Sequence, residues 1–416
     1  MSTIAAKDGK TETPPPQNGL KEKITAWGLE NIDLVFAVLR WVRPNVTFNG
    51  TALVTRFDDV QEVLSHDWVF GVPYEQKMLK VTGSSNFFLG MENTSDYARD
   101  VSNMRLAVRR EDMNDKVIPI VDKKCEQNIK SIQGDSFDAV QDISLPVATQ
   151  FIGDYFGTPG WNEKEFANAA TEMFHYLFYP DDPELETRAL TAAKLTREYL
   201  DDVIAERKNE DEQVDDILGR CLAMQKAGLP GLTDLDIRNN LIGLIIGAIP
   251  TTSKCAILTL DYLLDHEDLF AAAKKAADEN DIELLKKFVL ESIRLSPFAA
   301  GVQRICLQDY TVARGNLRAS KIKKGTKVLA ATQSAMQDMR KVKKPKEFRL
   351  DRPDHTYMHF GFGLHTCFGQ YINMEQIPRI VKALLCLPGL QRVNGDSGKV
   401  KYYGPFPQNL QLSIKS

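Results

Sequence analysis

The sequence predicts a mainly α-helical protein with a small β region, and three observations carry that prediction. Apolar residues recur at helical spacing through most of the chain, strand-like runs are short and clustered, and no repeat or low-complexity linker follows the first 20 residues. With 416 residues, 43% of them hydrophobic, the chain can bury a large core without covalent staples. The periodicity predicts helices at Asp58–Ser65, Asp96–Arg109, Pro119–Ile132, Leu145–Phe156, Pro183–Lys208 and Val214–Ala227. It resumes at Asp234–Leu264, Glu267–Asn280, Ile282–Leu295 and Gln370–Leu387. Strand-like runs lie at Ala52–Thr55, Gly301–Ile305, Tyr310–Val312 and Lys327–Ala330. Pro14 to Pro16 forbid a helix near the start, so residues 1–20 read as a mobile tail and 21–416 as one unit.

Charge and cysteine usage narrow the function classes. Fifty-two Lys and Arg against 56 Asp and Glu leave a net charge of -4, without the basic excess of a nucleic-acid binder. Cys125, Cys221, Cys255, Cys306, Cys367 and Cys386 are scattered and form no C-x-x-C pair. That pattern excludes a zinc ribbon or a disulfide framework and points to a reducing cytoplasm. The N-terminus has no apolar stretch suited to a signal peptide. The longest charge-free apolar run, Leu241 to Ser253, falls short of the roughly 20 residues needed to cross a bilayer. It reads as a buried helix.

That helix is informative. Thr233 and Asp236 fit a capping box, and the apolar middle predicts passage through the core. Inside it sits Gly247-Ala248-Ile249-Pro250-Thr251-Thr252. Pro250 removes one N–H and frees the carbonyl of Ile246, at a cost of about 3 kcal/mol.

Chemistry concentrates near the C-terminus, in His359-Phe360-Gly361-Phe362-Gly363-Leu364-His365-Thr366-Cys367-Phe368-Gly369-Gln370. The glycines permit backbone shapes closed to other residues, and Cys367 stands just before a helix N-terminus, where N–H groups and the helix dipole favour a thiolate. Such a thiolate suits an axial ligand to a flat metal macrocycle, with Phe360 covering the thiolate side. The pattern F-x-x-G-x-x-x-C-x-G is matched in order by Phe360, Gly363, Cys367 and Gly369.

On these residues the chain resembles the cytochrome P450 family, in particular its soluble bacterial members, and further stretches extend the resemblance over nearly the whole length. It implies a P450-like fold over 21–416, haem b as cofactor, and Cys367 as the iron ligand. Glu291-Ser292-Ile293-Arg294 matches the family's E-x-x-R, with Arg352 as its partner in a structural network. The resemblance assigns Arg304 and His365 to the haem propionates, and Gly361 and Ala248 to the haem surface. Relatives carry H-x-x-x-R on a helix over the haem edge; here Tyr97 and Arg99 take that place.

One departure matters for mechanism. The family's A-G-x-[DE]-T places an acid before the threonine that relays protons to bound dioxygen. Here Thr251 is present but Pro250 occupies the acid position, and proline has no side-chain donor. Two readings follow. A monooxygenase would use Thr251, Thr252 and water at the Ile246 carbonyl in place of the relay. A peroxide-driven peroxygenase or a hydroperoxide isomerase would need no relay. The family's fatty-acid peroxygenases carry Arg-Pro in this helix; here Ile249 replaces the arginine. A non-catalytic haem sensor is a third class.

By the same resemblance, Phe87, Phe88, Phe174, Ile245, Ile249 and Phe298 fall in segments that line the distal pocket, which implies a small apolar organic substrate. Phe178 and Val302 belong to the same regions. No dinucleotide-binding glycine motif and no ferredoxin-type cysteine run is present. Electrons for dioxygen chemistry would therefore come from a separate ferredoxin and reductase, docking where Arg109, Arg110, Lys116, Arg379 and Lys382 meet an acidic partner.

Overall fold

A computed structural model of the chain describes residues 31–415, apart from 84, 86, 181 and 211–213. The expected N-terminal tail lies outside these residues. Thirteen helices of eight or more residues occur among them. They are α1 Ile32–Val42, α2 Phe57–Ser65, α3 Glu75–Thr82, α4 Ser95–Ala107, α5 Ile118–Lys130, α6 Leu145–Phe156 and α7 Glu163–Phe178. Then follow α8 Pro183–Lys208, α9 Ile217–Lys226, α10 Asp234–Leu264, α11 Glu267–Asp278, α12 Ile282–Leu295 and α13 Gln370–Leu385. The strands are β1 Asn45–Phe48, β2 Thr51–Val54, β3 Phe70–Gly71, β4 Ser136–Asp138, β5 Val302–Cys306 and β6 Tyr310–Val312. The later ones are β7 Ser320–Ile322, β8 Lys327–Ala330, β9 Gln391–Arg392, β10 Lys401–Tyr403, β11 Phe406–Asn409 and β12 Gln411–Ser413. The mainly helical class with a minor β part is what the periodicity predicted; α1, α3, α7 and most of the short strands were not anticipated.

Local rules explain the element ends that position the site. The capping box of α10 forms: the Thr233 hydroxyl accepts from the Asp236 N–H, and the Asp236 carboxylate accepts from the Thr233 N–H at 2.9 Å. The helix runs 31 residues without a break, and Pro250 sits inside it. It packs against α6, α7, α12 and α13, and so forms the axis of the larger hydrophobic core. Ile237, Leu241, Ile242, Ile245, Ile249, Ile257 and Leu260 are fully buried along it, each burial contributing about 1.5–3 kcal/mol. By length and hydropathy α10 could cross a membrane, but 78% of its apolar window is buried inside the fold. That burial accounts for its composition.

A second, smaller core lies under a five-stranded sheet of order β1-β2-β8-β5-β3. Asn49 and Gly50 join β1 to β2 with φ of 48° and 74°, the positive values that a two-residue hairpin turn requires. β8 pairs parallel with β2 and antiparallel with β5, which sets Arg304 opposite Val328.

Candidate functional site

The Cys367 loop is held by its own backbone. The Cys367 N–H donates to the Phe360 carbonyl at 2.8 Å, and the Thr366 N–H and hydroxyl both donate to the Gly363 carbonyl, at 3.1 and 2.7 Å. Gly361 and Gly363 both have φ of 77°, the left-handed region. A Cβ on Gly363 would also run into the carbonyl of Leu64, so the loop seats on the end of α2 only with glycine there. Burial pushes the Cys367 thiol up, while the Gly369 N–H and the charge of Arg105 pull the other way. Arg105 lies 3.9 Å over the Phe368 ring and donates to the Phe368 carbonyl at 2.9 Å. Metal coordination removes the proton of such a thiol outright.

Behind the loop, Glu291 and Arg294 are fully buried and paired at 2.7 Å. Arg352 pairs with the same carboxylate at 3.0 Å, the Tyr357 hydroxyl donates to it at 3.0 Å, and the Arg349 N–H at 2.9 Å. The guanidinium of Arg294 also reaches the carbonyls of Pro345 and Glu347. Burial alone would raise the Glu291 carboxyl, but the hydrogen bonds and charges of Arg294 and its neighbours hold it below its ordinary value.

Arg304, His365 and Tyr97 gather at one edge of this site. Arg304 is 4% exposed and donates to its neighbour's carbonyl on Gln303. Among the described residues no carboxylate lies within ion-pair distance of it. The His365 ring is 5.1 Å from that of Tyr97, whose hydroxyl donates to the Leu364 carbonyl at 3.0 Å. Burial, then the charge of Arg304, pushes His365 down to about 4, so it is neutral at pH 7. Arg99 is elsewhere. It pairs with Asp96 and Asp100 at 2.9 and 2.8 Å against Gly231, on the outward side of α4. Arg105, two turns beyond Tyr97, is the helix arginine that reaches the cysteine loop, and the sequence reading missed it.

The middle of α10 faces the loop. From Leu241 to Leu260 only Gly247, Ala248, Thr251 and Cys255 are not buried, and their spacing makes one stripe. A Cβ on Gly247 would have nothing within 4 Å. Gly247, Ala248, Leu244, Leu89 and Phe151 line a cavity of about 110 Å³ with Cys367, Phe368 and Gly369. Pro250 is buried beside the stripe. The Thr251 hydroxyl donates back to the Gly247 carbonyl at 2.5 Å.

Several sequence expectations shift here. Thr252 is fully buried and donates to the side-chain oxygen of Asn373 on α13 at 2.9 Å, so it points to the thiolate side rather than to the oxygen side. Ile245 and Ile249 are fully buried, about 100° or more around α10 from the open stripe. They are core residues, not pocket walls. Phe87 seats on Gly243, where an added methyl group would overlap its ring, and Phe88 packs on Phe368 at 5.1 Å. Phe174 joins Phe178, Phe298 and Phe406 in an aromatic corner, at 4.5, 6.1 and 5.2 Å. On the outer thiolate face Arg105, Arg109 and Arg110 rim a polar mouth that reaches Cys367, with Arg110 stacked on Tyr371. Lys116, Arg379 and Lys382 are instead engaged by Asp215, by Asp122 and Glu375, and by Asn280.

The residues fit haem b. A planar macrocycle needs an open floor, which Gly247 and Ala248 leave opposite Cys367, and its carboxylates need a buried cation, which Arg304 supplies with no ion pair of its own among the described residues.

Comparison with known proteins agrees with this chemistry. The Cytochrome P450 family model matches residues 45–386. The 20-oxo-5-O-mycaminosyltylactone 23-monooxygenase of Streptomyces fradiae is 27% identical over 267 residues, covering 64% of this chain and 59% of that enzyme. Abscisic acid 8'-hydroxylase 3 of Oryza sativa subsp. indica is 28% identical over 246 residues, 53% of this chain and 47% of the relative. The matches thus span about half the length of these curated relatives. The crystal structure of CalO2 superposes with a TM-score of 0.80 at 19% identity, over 94% of this chain and 97% of that one, a likeness of fold.

Proposed function

Because the chain belongs to the cytochrome P450 family, we propose that it is a haem-thiolate monooxygenase that hydroxylates or demethylates a small, largely apolar organic molecule. The observation that carries this reading is Cys367, held with its N–H on Phe360 and its sulfur beside the Gly369 N–H and Arg105, across a cavity from the glycine floor of α10. The bound haem iron supplies the oxidising chemistry. Around it, Cys367 would supply the thiolate ligand, and Arg304, neutral His365 and Tyr97 would hold the propionate edge. The half-buried Thr251 lies on the open stripe of α10, its hydroxyl bonded back to the Gly247 carbonyl.

A second reading, oxidation driven by peroxide or isomerisation of a hydroperoxide, has its own support. Pro250 offers no proton, and Thr252, the other hydroxyl expected to help, is committed to Asn373 on the thiolate side. Under the first reading a ferredoxin with its reductase delivers electrons at the polar mouth rimmed by Arg105, Arg109 and Arg110. The unpaired state of all six cysteines supports a cytoplasmic location. The two readings separate by experiment. Product is measured with dioxygen plus a surrogate ferredoxin system and, in parallel, with hydrogen peroxide. Monooxygenation predicts turnover in the first; strong turnover only in the second defeats it.

A further inference from the structure

Between Arg238 and Asp261 helix α10 carries one charged residue, Lys254. It is 6% exposed. Its Nζ donates to the Phe298 carbonyl at 2.7 Å and lies 4.3 Å from the centre of the Phe298 ring and 5.6 Å from that of Phe406. Among the described residues no carboxylate pairs with it. An ammonium has three donors, and a buried one without an anion is costly to the fold. Burial accordingly pushes Lys254 down to about 8, and Cys255 is the titratable neighbour that acts on it. A protein that keeps such a group inside an aromatic corner has a use for its charge.

The surroundings indicate which anion it would meet. Lys254 is three residues beyond Thr251 and borders the open stripe of α10, about 10 Å along the axis from Gly247. From it an aromatic wall runs outward through Phe298, Phe406, Phe174 and Phe178 to Tyr74, whose ring is 4.7 Å from Phe178. A single cation with no second charged donor matches a single negative charge, and the wall suits an apolar body. We propose that Lys254 anchors the carboxylate of the substrate, so that the molecule oxidised is an apolar monocarboxylic acid whose body lies along Phe174, Phe298 and Phe406. The anchor rests on the haem-thiolate oxidoreductase reading above, and it adds a charged contact to a pocket that the sequence read as largely apolar.

The test titrates haem-loaded protein with hexadecanoic acid, dodecanoic acid and their methyl esters, following the shift of the haem Soret band in wild type, Lys254→Met and Lys254→Arg. Wild type is expected to bind an acid about 10- to 100-fold more tightly than its ester, the span of one charge-assisted hydrogen bond. Lys254→Met should erase that ratio by weakening the acid alone, and Lys254→Arg should keep most of it. Equal affinity for acid and ester in wild type, no binding of either acid, or an undiminished ratio in Lys254→Met overturns the anchor. Lower turnover in Lys254→Met with unchanged acid affinity also overturns it, and assigns the lysine to proton supply. If Lys254→Met does not fold, the wild-type ratio and Lys254→Arg decide. The reduced carbon monoxide spectrum separates the two levels: a thiolate band without acid preference defeats the anchor alone, whereas a wild type lacking that band defeats both.

Discussion

The cysteine loop and the middle of α10 face the same cavity, yet they treat their polar groups in opposite ways. On the thiolate side, the Cys367 N–H has a carbonyl, and the Glu291 carboxylate collects Arg294, Arg352, Tyr357 and a backbone N–H. On the oxygen side Pro250 donates nothing, Thr251 turns back on its own helix, and Lys254 has no anion among the described residues. A satisfied network fixes one geometry, and holding a ligand to iron needs that. Groups left with spare capacity can still respond to what enters. Under the proposed function, the first region would retain the cofactor and the second would choose oxidant and substrate.

Substitutions in the two regions should therefore fail differently. The largest effect is expected from Cys367→Ala, which should abolish the long-wavelength Soret band of the reduced carbon monoxide complex; an unchanged spectrum would remove Cys367 as ligand. Next comes Glu291→Gln, which leaves Arg294 buried without its charge partner and should cost about 3–5 kcal/mol in chemical denaturation. The same pair sets an acid limit. The folded-state value of Glu291 is depressed, so its contribution is present above the ordinary carboxylate value of about 4.3 and is lost as pH falls through the lower folded value. Unfolding midpoints between about pH 3 and 6 should fall less steeply in Glu291→Gln than in wild type.

Smaller effects are expected on the oxygen side. Pro250→Asp should raise oxygen-dependent product formation by about 10-fold or more if the missing acid limits turnover. No change there, with strong peroxide activity in wild type, sinks the monooxygenase reading. Thr252→Val is the mildest. It takes the donor from the half-buried Asn373 oxygen, for about 1 kcal/mol of stability, and should spare the oxygen dependence that Thr251→Ala removes. Equal loss of turnover in both would restore Thr252 to the oxygen side.

What the sequence made legible followed from spacing. Cys367 stood out because three glycines and a helix start flank it, and the Glu291–Arg294 pair because i,i+3 residues share a face. The errors came from helix phase. Ile245 and Ile249 lie in the right helix, but each residue turns it by about 100°, so apolar character alone does not tell the open stripe from the core. Arg105 and Arg99 differ by about 1.7 turns in the same helix, and packing against Phe368 distinguishes them. The Asn49-Gly50 pair was a readable hairpin signal that went unused. α3 is eight residues long and is held by a left-handed Gly83 and by contact with α8, a tertiary cause that no local pattern contains. Lys254 was visible as a lone charge in an apolar helix, but that no described carboxylate pairs with it appears only in three dimensions.

The contact of Phe87 with Gly243 makes the size of the reaction chamber adjustable from a distance. The ring rests directly on the helix backbone, and the residue beneath it lines the same cavity as Cys367. One added methyl group at position 243 must lift the ring, and in a close-packed interior that displacement is passed to its neighbours rather than absorbed. Hydrogen at that one carbon is thus a volume setting: a single-carbon change would resize the space for the reacting molecule while touching neither the iron ligand nor any proton donor.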